Sequence, residues 1–230
     1  MGLISNGTTI FDAGALDSGL AKGAMTFIKK LTASSSGTLS FVNGASGVVL
    51  DGTYKEYLFI FNNIHPDGDQ RDLTFNGSID SGSNYNVTKT TTWFEALHWE
   101  DASAAQIGYG ASLDLAQSTA FQTISSGLGN ANDDSCNGFM HLFNPSSTTF
   151  VKHFTCTSSF NYRVGVPGEV SSHIAGYFNT TSAVDAIQFK MESGNVDAGT
   201  ICLFLVVFTQ QLIVLIFKLV LEMVVQLMML

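Results

Sequence analysis

The segment from Ala183 to Leu205, AVDAIQFKMESGNVDAGTICLFL, constrains the fold more than any other part of the chain. Ile187, Phe189 and Met191 alternate with Gln188, Lys190 and Glu192, the period of two that puts one side of a strand in a core and the other in water. A Ser-Gly-Asn cluster interrupts the pattern before a second apolar run, so the segment reads as strand, tight turn, strand, the closing hairpin of a β-rich domain.

The same grammar runs upstream. TFIKKLTASS and TLSFVNG read as strands around Ser36 and Gly37, and VVLDGTYKEYLFIFNNI carries a turn signal at Asp51 and Gly52. Tyr57 to Phe61 is apolar at every position, which predicts a strand covered on both sides at the centre of the fold. DLTFNGSI and NVTKTTTWFEALHWED follow, the second too dense in β-branched and aromatic residues for an ordinary helix, with a helix left open for FEALHWE alone. SSGLGNANDDSCNG reads as a loop, FMHLF and TFVKHFTC as a hairpin around NPSS with Phe150, Phe154 and Cys156 on one face, and Val170 to Phe178 as a further strand. Nine or ten short strands without helical periodicity or an internal repeat predict an all-β chain, an antiparallel β-sandwich of jelly-roll type. The expected organisation is a short N-terminal arm at residues 1–23, a sandwich at 24–205 and an anomalous apolar C-terminal tail at 206–230.

Composition narrows the partners. A formal net charge of −9 and only 10 Lys and Arg leave no basic surface to neutralise phosphates, so nucleic acid is not an expected partner. The three cysteines, Cys136, Cys156 and Cys202, are too few and too widely spaced for a disulfide framework and read as buried apolar side chains. The start, MGLISNGTTIF, lacks the basic and apolar regions of a signal peptide.

The tail has a composition of its own. From Ile201 onward there is no Gly, Pro, Ser, Asn, Asp or Ala. Three readings stand. Ile201 to Phe217 is a 17-residue uncharged run, interrupted by Gln210 and Gln211, near the length of a membrane-spanning helix. Val206, Ile213, Ile216, Val220, Met223, Leu227 and Leu230 fit the spacing of an oligomerising helix. The third reading is a non-native extension produced by a reading-frame slip. A membrane partner is expected only under the first.

Residues with chemistry in them are sparse. No nucleophile elbow, zinc-protease motif, phosphate loop or dinucleotide fingerprint occurs, so no catalytic residue and no cofactor is assigned and the chain reads as a non-enzyme. Asp67, Asp69 and Asp72 in PDGDQRD present hard oxygen ligands at close spacing, a candidate calcium site without the distal glutamate of a full loop; a solvated turn is the plainer reading. Asn130, Asn132, Asp133 and Asp134 form a similar cluster. His141 and His153 flank the NPSS turn and would suit a transition metal if a third ligand joined them, although histidines packed among phenylalanines are more often structural. Trp93, Trp99 and Tyr109 are candidates for stacking on a sugar, set against ordinary packing.

The segments MGLISNGTTIFDAGAL, FIKKLTASS, DGTYKEYLFIFNNIHP, STAFQTI, HLFNPSSTTFVKHF, AGYFNTTSAVDAIQFKMESGN and DAGTI occur in an order that resembles virion structural proteins of marine tailed bacteriophages, over most of residues 1 to 202. The resemblance implies a β-sandwich head that docks on the particle through the N-terminal arm as a homotrimer, located in the virion. The chain departs from that pattern beyond Cys202. The expectation is a non-enzymatic virion surface protein, a tail- or head-fibre component or a capsid decoration protein, with itself and other virion proteins as partners. Alternatives are a carbohydrate-binding module recognising host glycan and a membrane-anchored β-domain.

Overall fold

The computed structural model describes the backbone at residues 3–5, 8–12 and 15–16 and the chain without interruption from 25 to 206. The expected apolar tail, apart from Val206, and most of the expected arm lie outside the described residues. The chain divides into two units, Phe27–Val206 and a second made of Met1–Thr26 and Val207–Leu230. In the second, β1 (Leu3–Ser5), β2 (Thr8–Asp12) and β3 (Ala15–Leu16) form a small antiparallel sheet of their own.

The main sheet has twelve strands: β4 (Met25–Thr32), β5 (Leu39–Val42), β6 (Glu56–Pro66), β7 (Arg71–Ser78), β8 (Lys89–Trp99), β9 (Ala105–Tyr109), β10 (Gln122–Leu128), β11 (Cys136–Phe143), β12 (Lys152–Tyr162), β13 (Gly168–Phe178), β14 (Ala186–Met191) and β15 (Val196–Val206). No helix occurs among the described residues. A long arm runs β4-β15-β6-β11-β12-β13-β8-β9 and a short arm runs β10-β7-β14-β5. The arms join through a single pair, Leu128 of β10 opposite Tyr162 of β12. Isolated bridges Ser36–Val196 and Lys89–Ser118 draw other edges together, so the antiparallel sheet is nearly closed into a barrel.

Phenylalanine fills the space between the arms. Phe189 of β14 meets Phe41 of β5, Phe59 and Phe61 of β6, and Phe75 of β7 at ring-centroid distances of 5.2 to 6.3 Å. Phe75 also meets Phe154 of β12 edge-on at 5.1 Å. All six are almost fully buried, each worth roughly 1.5–3 kcal/mol of transfer free energy, with a further ~0.5–1.5 kcal/mol for well-placed ring pairs.

Two lysines share this interior. Lys89 and Lys152 flank Phe178 in one cross-strand row and both are fully buried. Lys89 Nζ donates to the carbonyls of Val87 and Ala120, and Lys152 Nζ donates to that of Thr180 at 3.0 Å. Burial lowers both ammonium pKa values, that of Lys89 to about 7.

Several expectations change. The closing hairpin is not a hairpin: β14 pairs with β5 and β7, while β15 pairs with β6 and β4. Local alternation identifies both strands, but the turn between them carries the chain from one arm to the other because each strand's apolar face is completed by a different neighbour. FEALHWE is no helix: Phe94 to Trp99 lie in strand β8, with Phe94 to His98 held between β13 and β9, and Glu100 begins the turn that follows. SSGL belongs to β10, and AQIGY forms β9, an edge strand without an apolar face to announce it. Phe150 precedes β12 and is exposed, leaving Phe154 and Cys156 to share the inner face.

Candidate functional site

Strand register turns the outer face of the long arm into a lattice. One row reads Thr92, Ala175, Thr155, His141, Leu58, Phe204 across six strands. The next reads Tyr109, Phe94, His173, Thr157, Phe139, Ile60, Cys202 across seven. Side chains that alternate along a strand line up across it, so each strand contributes every second residue to this face.

The lattice divides into two halves of different chemistry. Over β4, β15, β6 and β11 it is apolar, with Phe27 of β4 packed edge-on against Phe204 at 5.6 Å and Phe139 exposed on β11. A groove of about 260 Å³ there is lined by Leu58, Ile60, Phe139 and His141. At its border Glu56, a buried carboxylate, pairs with His141 Nδ1 within the face. Over β12, β13 and β8 the lattice is polar, rich in threonine, serine and histidine, and a depression of about 320 Å³ opens around Ala175 and Gly176.

The acidic cluster of the sequence does not converge. Asp67 Oδ2 accepts from the amide of Asn195 at 2.8 Å and so closes the turn between β14 and β15. Asp72 Oδ1 accepts from the amide of Gly127 at 2.8 Å, and burial raises its carboxyl pKa. Asp69 is exposed, with no hydrogen-bond partner among the described residues. In the second cluster Asp134 is buried against Arg163, whose Nε and Nη2 both reach its carboxylate at 2.6 to 2.9 Å. Among the described residues no group of three or more His, Cys, Asp or Glu is placed to hold a metal ion.

The aromatic candidates also separate. Trp93 points inward and is fully buried, with Nε1 unpartnered among the described residues and Gly110 pressed against its ring, where a Cβ would stand 2.5 Å from Cε3. Trp99 leans on Tyr162 at 5.5 Å. Tyr109 is exposed on the edge strand and donates its hydroxyl to Asp114 at 2.5 Å, a bond that raises the phenol pKa. His141 and His153 both lie on the outer face, but His141 is engaged by Glu56 and His153 packs on Tyr177 of β13, ring centroids 5.7 Å apart. Cys136 and Cys156 are buried free thiols, both with pKa raised by burial, and Cys202 is half-buried on the outer face.

Sequence reasoning missed the outer lattice. Its signal is present in the alternation of Thr90, Thr92 and Phe94, and of His173, Ala175 and Tyr177, but the meaning depends on which strands lie side by side. Compared with protein-family models, with curated proteins and with solved structures, the chain matches none. No helix among the described residues is long and apolar enough to cross a membrane.

Proposed function

We propose that this chain is a non-enzymatic virion surface protein of a tailed bacteriophage, a fibre component or capsid decoration protein that assembles as a homotrimer. The observation that carries the reading is the apolar half of the outer face. Phe27, Phe204, Ile60 and Phe139 present apolar surface on one side of the sheet, and the carboxylate beside them is buried and paired. A chain of net charge −9 repels its own copies elsewhere, so the apolar stretch around Phe204, Ile60 and Phe139, away from the exposed Asp197 at the start of β15, is where identical subunits meet at least electrostatic cost. Such a contact also covers β4, the edge strand beside that half.

The finer fold belongs to the same proposal. In a jelly roll the first, last, third and sixth strands form one sheet and the second, seventh, fourth and fifth form the other. The order β5-β14-β7-β10 follows the first series, and β6, β8 and β9 follow the second if the meander β11-β12-β13 takes the place of the single seventh strand. β15 and β4 then extend the sheet beyond β6. This architecture and the resemblance of residues 1 to 202 to phage structural proteins support the same assignment, with the N-terminal arm as the docking segment.

The test is mass spectrometry of purified particles, with copies of this chain counted against the major capsid protein. Hundreds of copies mark a decoration protein and a few tens a fibre; absence removes the virion reading. In solution, light scattering on the full chain is expected to give a trimer. Phe139→Glu, which places a charge on a half-exposed position, is expected to give a monomer of unchanged circular dichroism.

A further inference from the structure

We infer that the depression around Ala175 is a binding site for a neutral oligosaccharide. The inference goes beyond the virion reading and holds wherever the protein resides.

Ala175 is the small centre of a patch of larger side chains. Across the strands it lies between Thr92 and Thr155; along its own strand it lies between His173 and Tyr177. Because the side chain at the middle of this lattice ends at Cβ, the surface sinks there, with the backbone of Gly176 beside it. The cavity of about 320 Å³ lies at the small end of the ~300–1,000 Å³ range of small-molecule sites, enough for one or two sugar rings.

The walls have the mixed chemistry of a pyranose. Tyr177 and His153 form one aromatic side; beyond the depression His173, two residues along β13 from Ala175, stacks on Phe94 of β8 at 5.0 Å and 16°. Such rings offer apolar faces to the C–H side of a sugar and polar edges to its hydroxyls. The Tyr177 hydroxyl, the His153 ring nitrogens and Thr155 Oγ1 have no protein partner among the described residues. Thr90 Oγ1 is already fixed by Gln117, whose side-chain amide donates to it at 2.8 Å, so one rim of the depression is set before a ligand arrives. The floor and walls contain no carboxylate and no exposed ammonium, since Lys152 below turns inward to the Thr180 carbonyl. An uncharged lining in a chain of net charge −9 favours a neutral glycan over an acidic one or a phosphorylated ligand.

The full chain would be titrated by calorimetry and by ligand-observed NMR with neutral oligosaccharides of glucose, galactose and N-acetylglucosamine, three to six units long, with polygalacturonate as the acidic control. At least one neutral series is expected to bind. Ala175→Leu, which fills the depression from a position exposed to solvent, is expected to weaken that binding at least tenfold, and Tyr177→Ala similarly, both with unchanged melting temperature. Absence of binding by every neutral series overturns the inference. So does preference for polygalacturonate, or binding that survives Ala175→Leu and is lost in Tyr109→Ala, which would put the ligand on the edge strand. None of these outcomes alters the particle count or the trimer measurement, so the two readings fail separately.

Discussion

At the scale of single residues, the buried polar groups set how the protein responds to pH. Lys89 is held at about 7 by burial against an ordinary value of 10.5. Between those values the unfolded chain binds a proton that the folded chain does not, so stability rises as pH increases from 7. Cys136 works the other way: burial pushes its thiol up to about 12 from 9.0, and Cys156 is raised as well, so above pH 9 the folded state keeps protons the unfolded state has lost and stability falls. Urea unfolding is therefore expected to show maximal stability near pH 9, with a gain from Lys89 of order 2–3 kcal/mol between pH 7 and 9. Lys89→Met should flatten that rise; an unchanged profile in the variant would locate the effect elsewhere. Trp93 supplies a second residue-scale case. Its unpartnered indole N–H is a cost, which Trp93→Phe removes in exchange for a small cavity, so its unfolding midpoint should lie close to that of the parent. Trp93→Ala should cost about 3–5 kcal/mol.

At the scale of elements, β6 and β15 show how the long arm curves. Their pairing shifts register between Val196 and Ala198 and again between Ala198 and Thr200. Asn63 and Gly199 stand at this irregularity with φ of 50° and 106°. A Cβ at Gly199 would collide with the Asn63 carbonyl, and its φ is one that residues with side chains rarely adopt. Gly199→Ala should lower stability by roughly 1–3 kcal/mol, read as a fall in melting temperature. A neutral result would mean that the bulge relaxes without resistance. The same scale explains the missed strand β9. All of its residues except Gly108 are exposed, so it has no buried face to impose a period of two and is held by pairing with β8.

At the scale of the whole molecule, one core serves both arms while their backbone connection is thin. The arms meet through the Phe189 cluster but share only the Leu128–Tyr162 pair and isolated bridges along their seams. Hydrogen exchange is expected to follow that division. Amides in the middle of β12 and β13, paired on both sides, should exchange last, and those of Leu128 and its neighbours at the seam should exchange earlier by local opening. Uniform protection across the seam would show that the barrel opens only as a unit.

By itself the sequence determined that the chain is all-β and where most of its strands lie, because alternation and turn chemistry act over a few residues and survive without knowledge of the fold. The DG turn, the NPSS hairpin, the strand at Tyr57 to Phe61 and the faces of β14 were legible for that reason, although the expected cover on both sides of that strand is incomplete, with Ile60 only half-buried on the outer face. Only the tertiary structure decided which strands are neighbours. That choice separated β14 from β15, sent Trp93 into the core, gave Asp67 and Asp72 different partners while leaving Asp69 exposed, and aligned Thr92, Ala175 and Thr155 into one row. Pairing between distant strands depends on how the apolar faces of the whole chain can be covered at once, and no local pattern carries that information.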